Sequence, residues 1–170
     1  GAAGRLVFSR ISSEHWFYTG AYDAFSRRFS SNDLGFFAQP HDHGGYVQLL
    51  YRENFAVRVF RRYSAALNPE YRWNWDGVLT RADLNTEFTG EFTNFWVGTF
   101  VHTFSHPAFD DAERGIIGTY KRPTQHSFRL SLTTDGRKDV SASIYGAYAF
   151  DAKKKQSVST QIGMTLRPSS

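Results

Sequence analysis

The chain has 170 residues, of which 41% are hydrophobic and 17% aromatic, and its formal net charge at neutral pH is +4. This length suits one domain, which we assign to residues 1–170, and the hydrophobic fraction is ordinary. The aromatic fraction is high for a soluble core. Basic residues are dispersed except at Lys153–Lys155, which argues against a nucleic-acid interface.

No stretch approaches the roughly 18 consecutive apolar residues that a membrane helix requires. A membrane-spanning form of this chain would therefore be a closed β-barrel. The absence of cysteine fits the cell envelope and the cytosol alike. Strand-like residues follow Gly1–Gly4 at once, without a signal segment, so we expect a processed or partial chain of a larger barrel.

Alternating side chains and turn residues predict nine strands, joined as an antiparallel meander. The predicted strands are Arg5–Ile11, Glu14–Phe25, Gly45–Arg52, Phe55–Ala66, Tyr71–Leu84, Glu87–Ser105, Gln125–Thr134, Asp139–Asp151 and Ser157–Arg167. The predicted turns are Glu53–Asn54, Leu67–Glu70, Asp135–Lys138 and Ala152–Lys155. Two longer connections, Ser26–Gly44 and His106–Thr124, are expected to form surface loops or to fold into a lumen.

The fold class that we predict is all-β, an antiparallel up-and-down transmembrane β-barrel or the C-terminal part of one. The last three strands carry this prediction, because apolar and small polar residues alternate in them with period two. The apolar set is expected to face lipid: Phe128, Leu130, Leu132, Val140, Ile144, Tyr148, Phe150, Val158, Ile162, Met164 and Leu166. The polar set is expected to line the lumen: Ser127, Arg129, Ser131, Ser141, Ser143, Ser157, Ser159 and Gln161.

Four short stretches, in order, carry a family resemblance. They are Asn32–Phe36, Phe92–Trp96, Arg114-Gly115 with Arg122-Pro123, and Thr134–Lys138. Together they resemble large Gram-negative envelope proteins that have a carbohydrate-binding-like N-terminal domain and a C-terminal outer-membrane barrel of unknown function. The resemblance implies an outer-membrane location and a barrel longer than this chain. The chain departs from the family at Ile116–Gly118 and at its end, which lacks a terminal aromatic residue.

Several residues have side chains suited to chemistry, but none forms a convincing site. His41, Asp42 and His43 include ligand types without an identifiable third ligand, and Asp110, Asp111 and Glu113 lack a calcium-loop spacing. His102 and His106 lie near Ser105, which is too common a combination to predict a hydrolase. Trp73 and Trp75 share a face with Tyr71 and suit a sugar platform, although an interfacial aromatic belt explains them as well.

The favoured hypothesis is an outer-membrane β-barrel with a structural or passage role. It predicts no enzymatic activity, no cofactor, no metal and no nucleic acid, and its partners would be membrane lipid and other envelope subunits. The alternative is a soluble β-barrel or sandwich that buries the same apolar set and binds a small ligand or glycan. Serine-rich faces with few Lys or Glu residues favour a lumen over a soluble exterior.

Overall fold

A computed structural model of the chain describes residues 1–27, 42–110 and 120–167, and in these residues the protein is all-β. The strands are β1 (Ala3–Arg10), β2 (Trp16–Phe25), β3 (Asp42–Glu53), β4 (Phe60–Asn74), β5 (Leu79–Phe92), β6 (Val97–Ser105), β7 (Ala108–Asp110), β8 (Tyr120–Arg122), β9 (Gln125–Thr133), β10 (Val140–Asp151) and β11 (Gln156–Leu166). Nine of them form one sheet in the order β1-β2-β3-β4-β5-β6-β9-β10-β11, and β7 and β8 form a separate pair. The predicted up-and-down antiparallel sheet of nine strands is confirmed.

The sheet keeps one alternation in phase from edge to edge, because residues paired across strands project to the same face. One row, for example, runs through Tyr18, Leu49, Leu67, Thr86, His102, Phe128, Tyr148 and Val158. The next row runs through Asn68, Asn85, Thr103, Ser127, Ala149 and Ser157. We call the face of the first row the apolar face and that of the second row the polar face.

The predicted turn at Leu67–Glu70 is wrong, because these residues lie inside β4. Pro69 lacks an amide hydrogen, and the β3–β4 pairing is interrupted beside it, between the pairs Tyr46↔Glu70 and Leu49↔Leu67. The Asn68 amide nitrogen donates to Asn85 on β5 at 3.3 Å. Pro69, which predicts a turn in the sequence, can therefore lie inside a strand because the β3–β4 ladder has a gap beside it.

The turns on either side of β5 lie at residues 75–78 and 93–96, so the predicted bounds of the three middle strands are also corrected. Asn74 Oδ1 accepts the backbone N–H groups of Asp76 and Val78, and Gly77 has a φ of +77°. In the second turn, Asn94 Oδ1 accepts the Trp96 N–H. Short polar side chains that satisfy backbone donors fix both turns.

Two bulges interrupt the β4–β5 ladder, one near each end of the pair. Arg61 is the extra residue on β4, between the pairs Phe60↔Phe92 and Arg62↔Glu91. Thr80 is the extra residue on β5 near Trp73. Each extra residue shifts the odd–even alternation of its own strand by one position, so that the side chains on both sides of the bulge stay in line with those of the partner strand.

The sheet lacks a conventional core in the described residues. The buried hydrophobic residues are Ala21, Ala82 and Ala108 alone, whereas large side chains across the apolar face are exposed. Leu130 is 60% exposed and Ile162 is 81% exposed. The apolar face is therefore uncovered by any second layer within the described part of the chain.

No helix in the described residues has the length and apolar character needed to cross a membrane.

Close backbone approach at the start of β3 requires a glycine, and this generates a stability prediction. A Cβ atom at Gly45 would lie 2.2 Å from the carbonyl oxygen of Ala21 on β2. We expect Gly45→Ala to lower the free energy of unfolding by about 1–3 kcal/mol, as overpacking does. Urea unfolding followed by tryptophan fluorescence measures the effect as a lower midpoint.

Gly146→Ala is the matched control, since a Cβ atom at Gly146 on β10 meets no atom within 4 Å. Its midpoint should be unchanged or slightly higher. Equal midpoints for the two variants would contradict the close approach of β2 and β3.

Candidate functional site

The two ends of the sheet differ in their connections. Residues 11–15, 54–59, 93–96 and 134–139 connect strands at one end, which we call the short-turn end. Residues 26–41, 75–78, 106–124 and 152–155 connect strands at the opposite end, which we call the long-loop end. Much of the first predicted loop lies outside the described residues, and Asp42–Gly44 already belong to β3.

The second predicted loop contains the β7–β8 pair, which is held at the long-loop end by polar contacts. Arg122 donates to the Thr80 carbonyl oxygen at 2.6 Å, so the bulge on β5 anchors β8. The Lys153 ammonium donates to the Tyr120 hydroxyl at 3.1 Å. The loop is thereby tied both to β5 and to the turn between β10 and β11.

The residues predicted to line a lumen all lie on the polar face, and those predicted to face lipid all lie on the apolar face. Cross-strand pairing brings each set together: Ile144 is opposite both Leu132 and Ile162, and Ala147 separates Arg129 from Ser159. The sheet therefore has two surfaces of contrasting chemistry.

On β6, β9, β10 and β11 the polar face is rich in hydroxyl groups. Its serine and threonine residues are Thr99, Thr103, Ser105, Ser127, Ser131, Thr133, Ser141, Ser143, Ser157, Ser159 and Thr165. Its charged residues are Arg129 and, at the end of β10, Asp151. Arg129 has no ion-pair or hydrogen-bond partner within the described residues, and its side chain is exposed. This half of the face suits hydrogen bonding to water or a polar solute.

On β2 to β5 the polar face carries many charges, and most of them are paired. Arg72 Nε donates to Asp42 at 2.7 Å, and its terminal nitrogen donates to Asp42 and Asp23, so one guanidinium links three strands. All three side chains are at most 15% exposed. Arg81 similarly bonds Glu70 on β4 at 3.2 Å. Pairing offsets the cost of removing these charges from water.

A side-chain cluster, which we call the Phe95 cluster, lies at the short-turn end and consists of Arg61, Arg62, Glu91, Phe95 and Arg137. Glu91 accepts hydrogen bonds from Arg61 and from Arg62, the latter at 2.5 Å. The guanidinium carbon of Arg61 lies 3.9 Å from the centre of the Phe95 ring, and that of Arg137 lies 3.1 Å from it. Phe95 therefore contacts two guanidinium groups, an arrangement favoured by cation–π attraction.

Local backbone geometry places these groups. The bulge at Arg61 lets it reach Glu91 together with its neighbour Arg62. Phe95 has a φ of +65°, an uncommon conformation for a bulky residue. Asp135 holds Arg137 by two guanidinium hydrogen bonds, at 2.8 and 2.7 Å.

Two of the stretches that carry the family resemblance meet in this cluster, since Phe95 belongs to one and Arg137 to the other. Their contact was missed by sequence reasoning. It joins the β5–β6 turn to the β9–β10 turn, and it depends on β6 and β9 being neighbours. From a single sequence, the pairing of β6 with β9 can be predicted only by assuming a meander.

A cavity of about 310 Å³ opens beside the cluster on the polar face. Arg52, Arg62, Ser64, Thr89 and Glu91 are among its lining residues. Arg52 has no carboxylate partner within the described residues and lies over the Phe17 ring at 5.2 Å. Guanidinium and hydroxyl donors beside a carboxylate can bind a small polar or anionic group.

Aromatic residues of the apolar face gather toward both ends of the sheet. At the long-loop end, the Tyr22 hydroxyl bonds His43 Nδ1 at 2.8 Å, and His43 contacts the Trp73 and Trp75 rings. Tyr71 stacks on Trp73, so these two residues share a face, as the sequence predicted. At the short-turn end the aromatic contacts involve Trp16, Tyr51, Phe60, Tyr63, Phe88 and Phe92.

Within the described residues, the histidine and acidic candidates do not come together in a reactive site. Asp42 binds Arg72 and His43 binds Tyr22 on opposite faces, while His41 lies outside the described residues. Asp110 lies 3.9 Å from Arg122, and Asp111 and Glu113 lie outside the described residues. Within the described ranges, no three His, Cys, Asp or Glu residues are grouped for metal binding.

The His102 imidazole bonds the His126 imidazole at 3.1 Å on the apolar face. Ser105 and Thr103 project to the polar face, so neither hydroxyl is on the same side of the sheet as His102. The two histidines stack with Phe128, Phe104 and Phe150 as aromatic rings. Their surroundings are those of an aromatic cluster.

The Asp135 carboxylate generates a pH prediction. Hydrogen bonds from the Arg137 guanidinium lower the pKa of Asp135 to about 2 from its ordinary 3.8, although burial opposes the change. A lowered pKa means that the contribution of Asp135 to stability is complete above pH 3.8 and is lost as the pH falls through 2. Carboxyl NMR titration should place the midpoint of Asp135 near 2.

Arg137→Gln should return the Asp135 midpoint toward 3.8, because the guanidinium hydrogen bonds are removed. Arg129→Gln is the control, since Arg129 is on the same hairpin and is not bonded to Asp135. A midpoint that stays near 2 in Arg137→Gln would show that another group holds the carboxylate.

Comparison with known proteins places the chain in a family. No curated protein and no solved structure is significantly similar to it. A family model described as Domain of unknown function (DUF5916) matches residues 1–170. That description names neither a barrel nor envelope proteins. Because the match spans the whole sequence, the chain belongs to the family Domain of unknown function (DUF5916).

Proposed function

We propose that this chain forms part of the wall of an outer-membrane β-barrel, with a structural or passage role and no enzymatic activity. The uncovered apolar face of the nine-stranded sheet carries the proposal. Soluble monomers rarely expose a contiguous apolar surface of more than a few hundred Å². A lipid bilayer covers such a face without any further protein layer.

The exposed side chains are distributed along the strands as lipid contact requires. On β11 they include Val158, Ile162, Met164 and Leu166, which are 72%, 81%, 67% and 62% exposed. Thr160 is the polar interruption of this series. An apolar residue at nearly every second position over a strand of about ten residues matches the span of a tilted membrane strand.

The aromatic clusters at both ends of the apolar face support the same placement. Trp73, Tyr71 and Tyr22 lie toward the long-loop end, and Trp16, Tyr51 and Tyr63 lie toward the short-turn end. Trp and Tyr rings favour the two membrane interfaces, where the ring contacts lipid and the polar atom contacts water. Two separated aromatic bands with aliphatic residues between them suit a barrel wall.

The polar face would then line the lumen, with serine and threonine hydroxyls on β6 and β9 to β11 and paired charges on β2 to β5. Hydroxyl groups hydrogen-bond water without the desolvation cost of unpaired charges. Arg129, which has no carboxylate partner in the described part of the chain, would project into this lumen and would favour anions over cations near it. Passage of small polar solutes is the role that such a lining suits.

Bacterial barrels have short periplasmic turns and longer external loops. The long-loop end, with its 26–41 and 106–124 connections, would accordingly face outward, and the Phe95 cluster would face the periplasm. Membrane lipid is then the principal partner, with other envelope subunits as candidates at either end.

Leu130 and Ser131 are neighbours on β9 that project to opposite faces, so they test the proposal as a matched pair. Leu130→Arg should reduce folding into phosphatidylcholine vesicles, because an arginine facing lipid costs about 2–4 kcal/mol near the bilayer midplane. Ser131→Arg should fold as the unmodified chain does. Vesicle flotation and mobility in SDS gels with and without boiling measure the folded, inserted fraction.

Equal insertion of the two variants would contradict a lipid-facing Leu130. Solubility of the unmodified chain without detergent or vesicles would contradict the membrane location itself. That second outcome would support the alternative, a soluble β-barrel or sandwich that covers its apolar face internally and binds a small ligand or glycan.

A further inference from the structure

The cavity of about 310 Å³ beside the Phe95 cluster is lined by arginines from two neighbouring strands. Arg52 on β3 pairs with Ser64 on β4, and Arg62 lies two residues before Ser64 on the same face. Diagonal neighbours of this kind are about 7–8 Å apart on an antiparallel pair, which is within reach of two long side chains. The guanidinium groups of Arg52 and Arg62 therefore border one opening on the polar face.

Most of the hydrogen-bond donors at this opening are unused. The Arg52 guanidinium lies over the Phe17 ring at 5.2 Å and has no acceptor within the described residues. Arg62 donates its Nε–H to Glu91, which leaves its terminal nitrogens free to donate. The hydroxyl of Ser64, which neighbours both arginines, also has no partner in the described part of the chain. The opening can therefore donate several hydrogen bonds to a ligand.

The carboxylates that line the same cavity already have partners. Glu91 uses one oxygen for Arg61 and the other for Arg62. Glu53 accepts a backbone N–H of the turn that follows it at 2.9 Å. The guanidinium groups of Arg52, Arg61 and Arg62 thus outnumber the carboxylates around the opening. A ligand with negative charge would balance the excess.

A second cavity, of about 430 Å³, adjoins the first and shares Asn54 and Arg62 with it. Phe55, Ala56 and Arg61 also line it. Phe55 is 72% exposed, so its ring offers an uncovered apolar surface next to the guanidinium groups. Together the two cavities present a cationic part beside an apolar part.

We propose that these two cavities bind a phosphate monoester, with the phosphate group between Arg52 and Arg62 and the organic group against Phe55. A phosphate monoester has three terminal oxygens, so two guanidinium groups can each donate to it in the bidentate geometry that arginine favours. A carboxylate has only two oxygens, which one arginine satisfies. The Ser64 hydroxyl is placed to donate to the same phosphate group.

The phosphate site does not depend on membrane insertion. The polar face meets water both in the proposed barrel and in the soluble alternative, so a dissolved ester reaches the site in either case. In the barrel the site would lie at the periplasmic end of the lumen, where it would retain phosphate esters in preference to uncharged solutes.

Isothermal titration calorimetry of the full chain in dodecyl maltoside, with phenyl phosphate as the probe, tests the proposal. Arg52→Gln should weaken binding by about tenfold or more, because charge-assisted hydrogen bonds are removed. Arg52 has no ion pair within the described residues, so this variant should keep the circular dichroism spectrum of the unmodified chain. Arg129→Gln is the matched control, since it removes the same charge from the same face outside both cavities. Its affinity should be nearly unchanged, because salt screens distant exposed charges.

Two further probes separate the parts of the ligand. Inorganic phosphate should bind about fivefold more weakly than phenyl phosphate, because it lacks an apolar group to contact Phe55. Phe55→Ala should therefore weaken the binding of phenyl phosphate and leave that of inorganic phosphate unchanged. Benzoate should bind more weakly than phenyl phosphate, because its carboxylate cannot satisfy both arginines.

The absence of saturable phenyl phosphate binding would overturn the proposal, as would equal weakening by Arg52→Gln and Arg129→Gln. Inorganic phosphate that binds as tightly as phenyl phosphate would exclude a monoester site, and benzoate that binds as tightly would exclude phosphate recognition. Each of these results can be obtained with a chain that inserts into vesicles. Failure of the phosphate site is therefore distinguishable from failure of the membrane proposal.

Discussion

The architecture depends on keeping a period-two alternation in phase through nine hydrogen-bonded strands. A shift of one residue at any strand pair would move every side chain beyond it to the opposite face. The β4–β5 pair absorbs two extra residues, Arg61 and Thr80, as bulges, and the rows on either side remain aligned. Because the phase survives, apolar side chains separated by more than a hundred residues share one surface, and serine hydroxyls share the other.

The two halves of the polar face differ in how their polar and charged side chains are partnered. On β2 to β5, arginine side chains reach across strands to carboxylates, as Arg72 does with Asp42 and Asp23. On β9 to β11, serine replaces charge, and Arg129 has no carboxylate partner among the described residues. Ion pairs stiffen the first half by linking neighbouring strands, while the second half leaves its hydrogen-bonding groups available to solvent. A water-filled lumen, as proposed, would accommodate both.

Sequence patterns predicted the last three strands closely, because each is uninterrupted and bounded by charged turns. They failed in the middle, where Asn68 and Pro69 resemble a turn but lie within β4. A gap in the β3–β4 ladder beside Pro69 permits this, and such a gap is visible only when both strands are in place. The Phe95 cluster was missed for a related reason. Its cations and ring come from three turns or strand ends that are remote in sequence, although two of the stretches involved had been recognised individually.

The sequence by itself determined that this chain forms an antiparallel sheet with one apolar and one polar face. It could do so because alternation, aromatic content and turn chemistry are all properties of residues that are close together in the sequence. Tertiary structure decided which charges pair, where the bulges fall and that Arg137 contacts Phe95, because each depends on the register between strands. It also decided that β1 and β11 are the two edges of the sheet, run parallel to each other and have no second strand partner among the described residues, because each of these depends on the order of all nine strands.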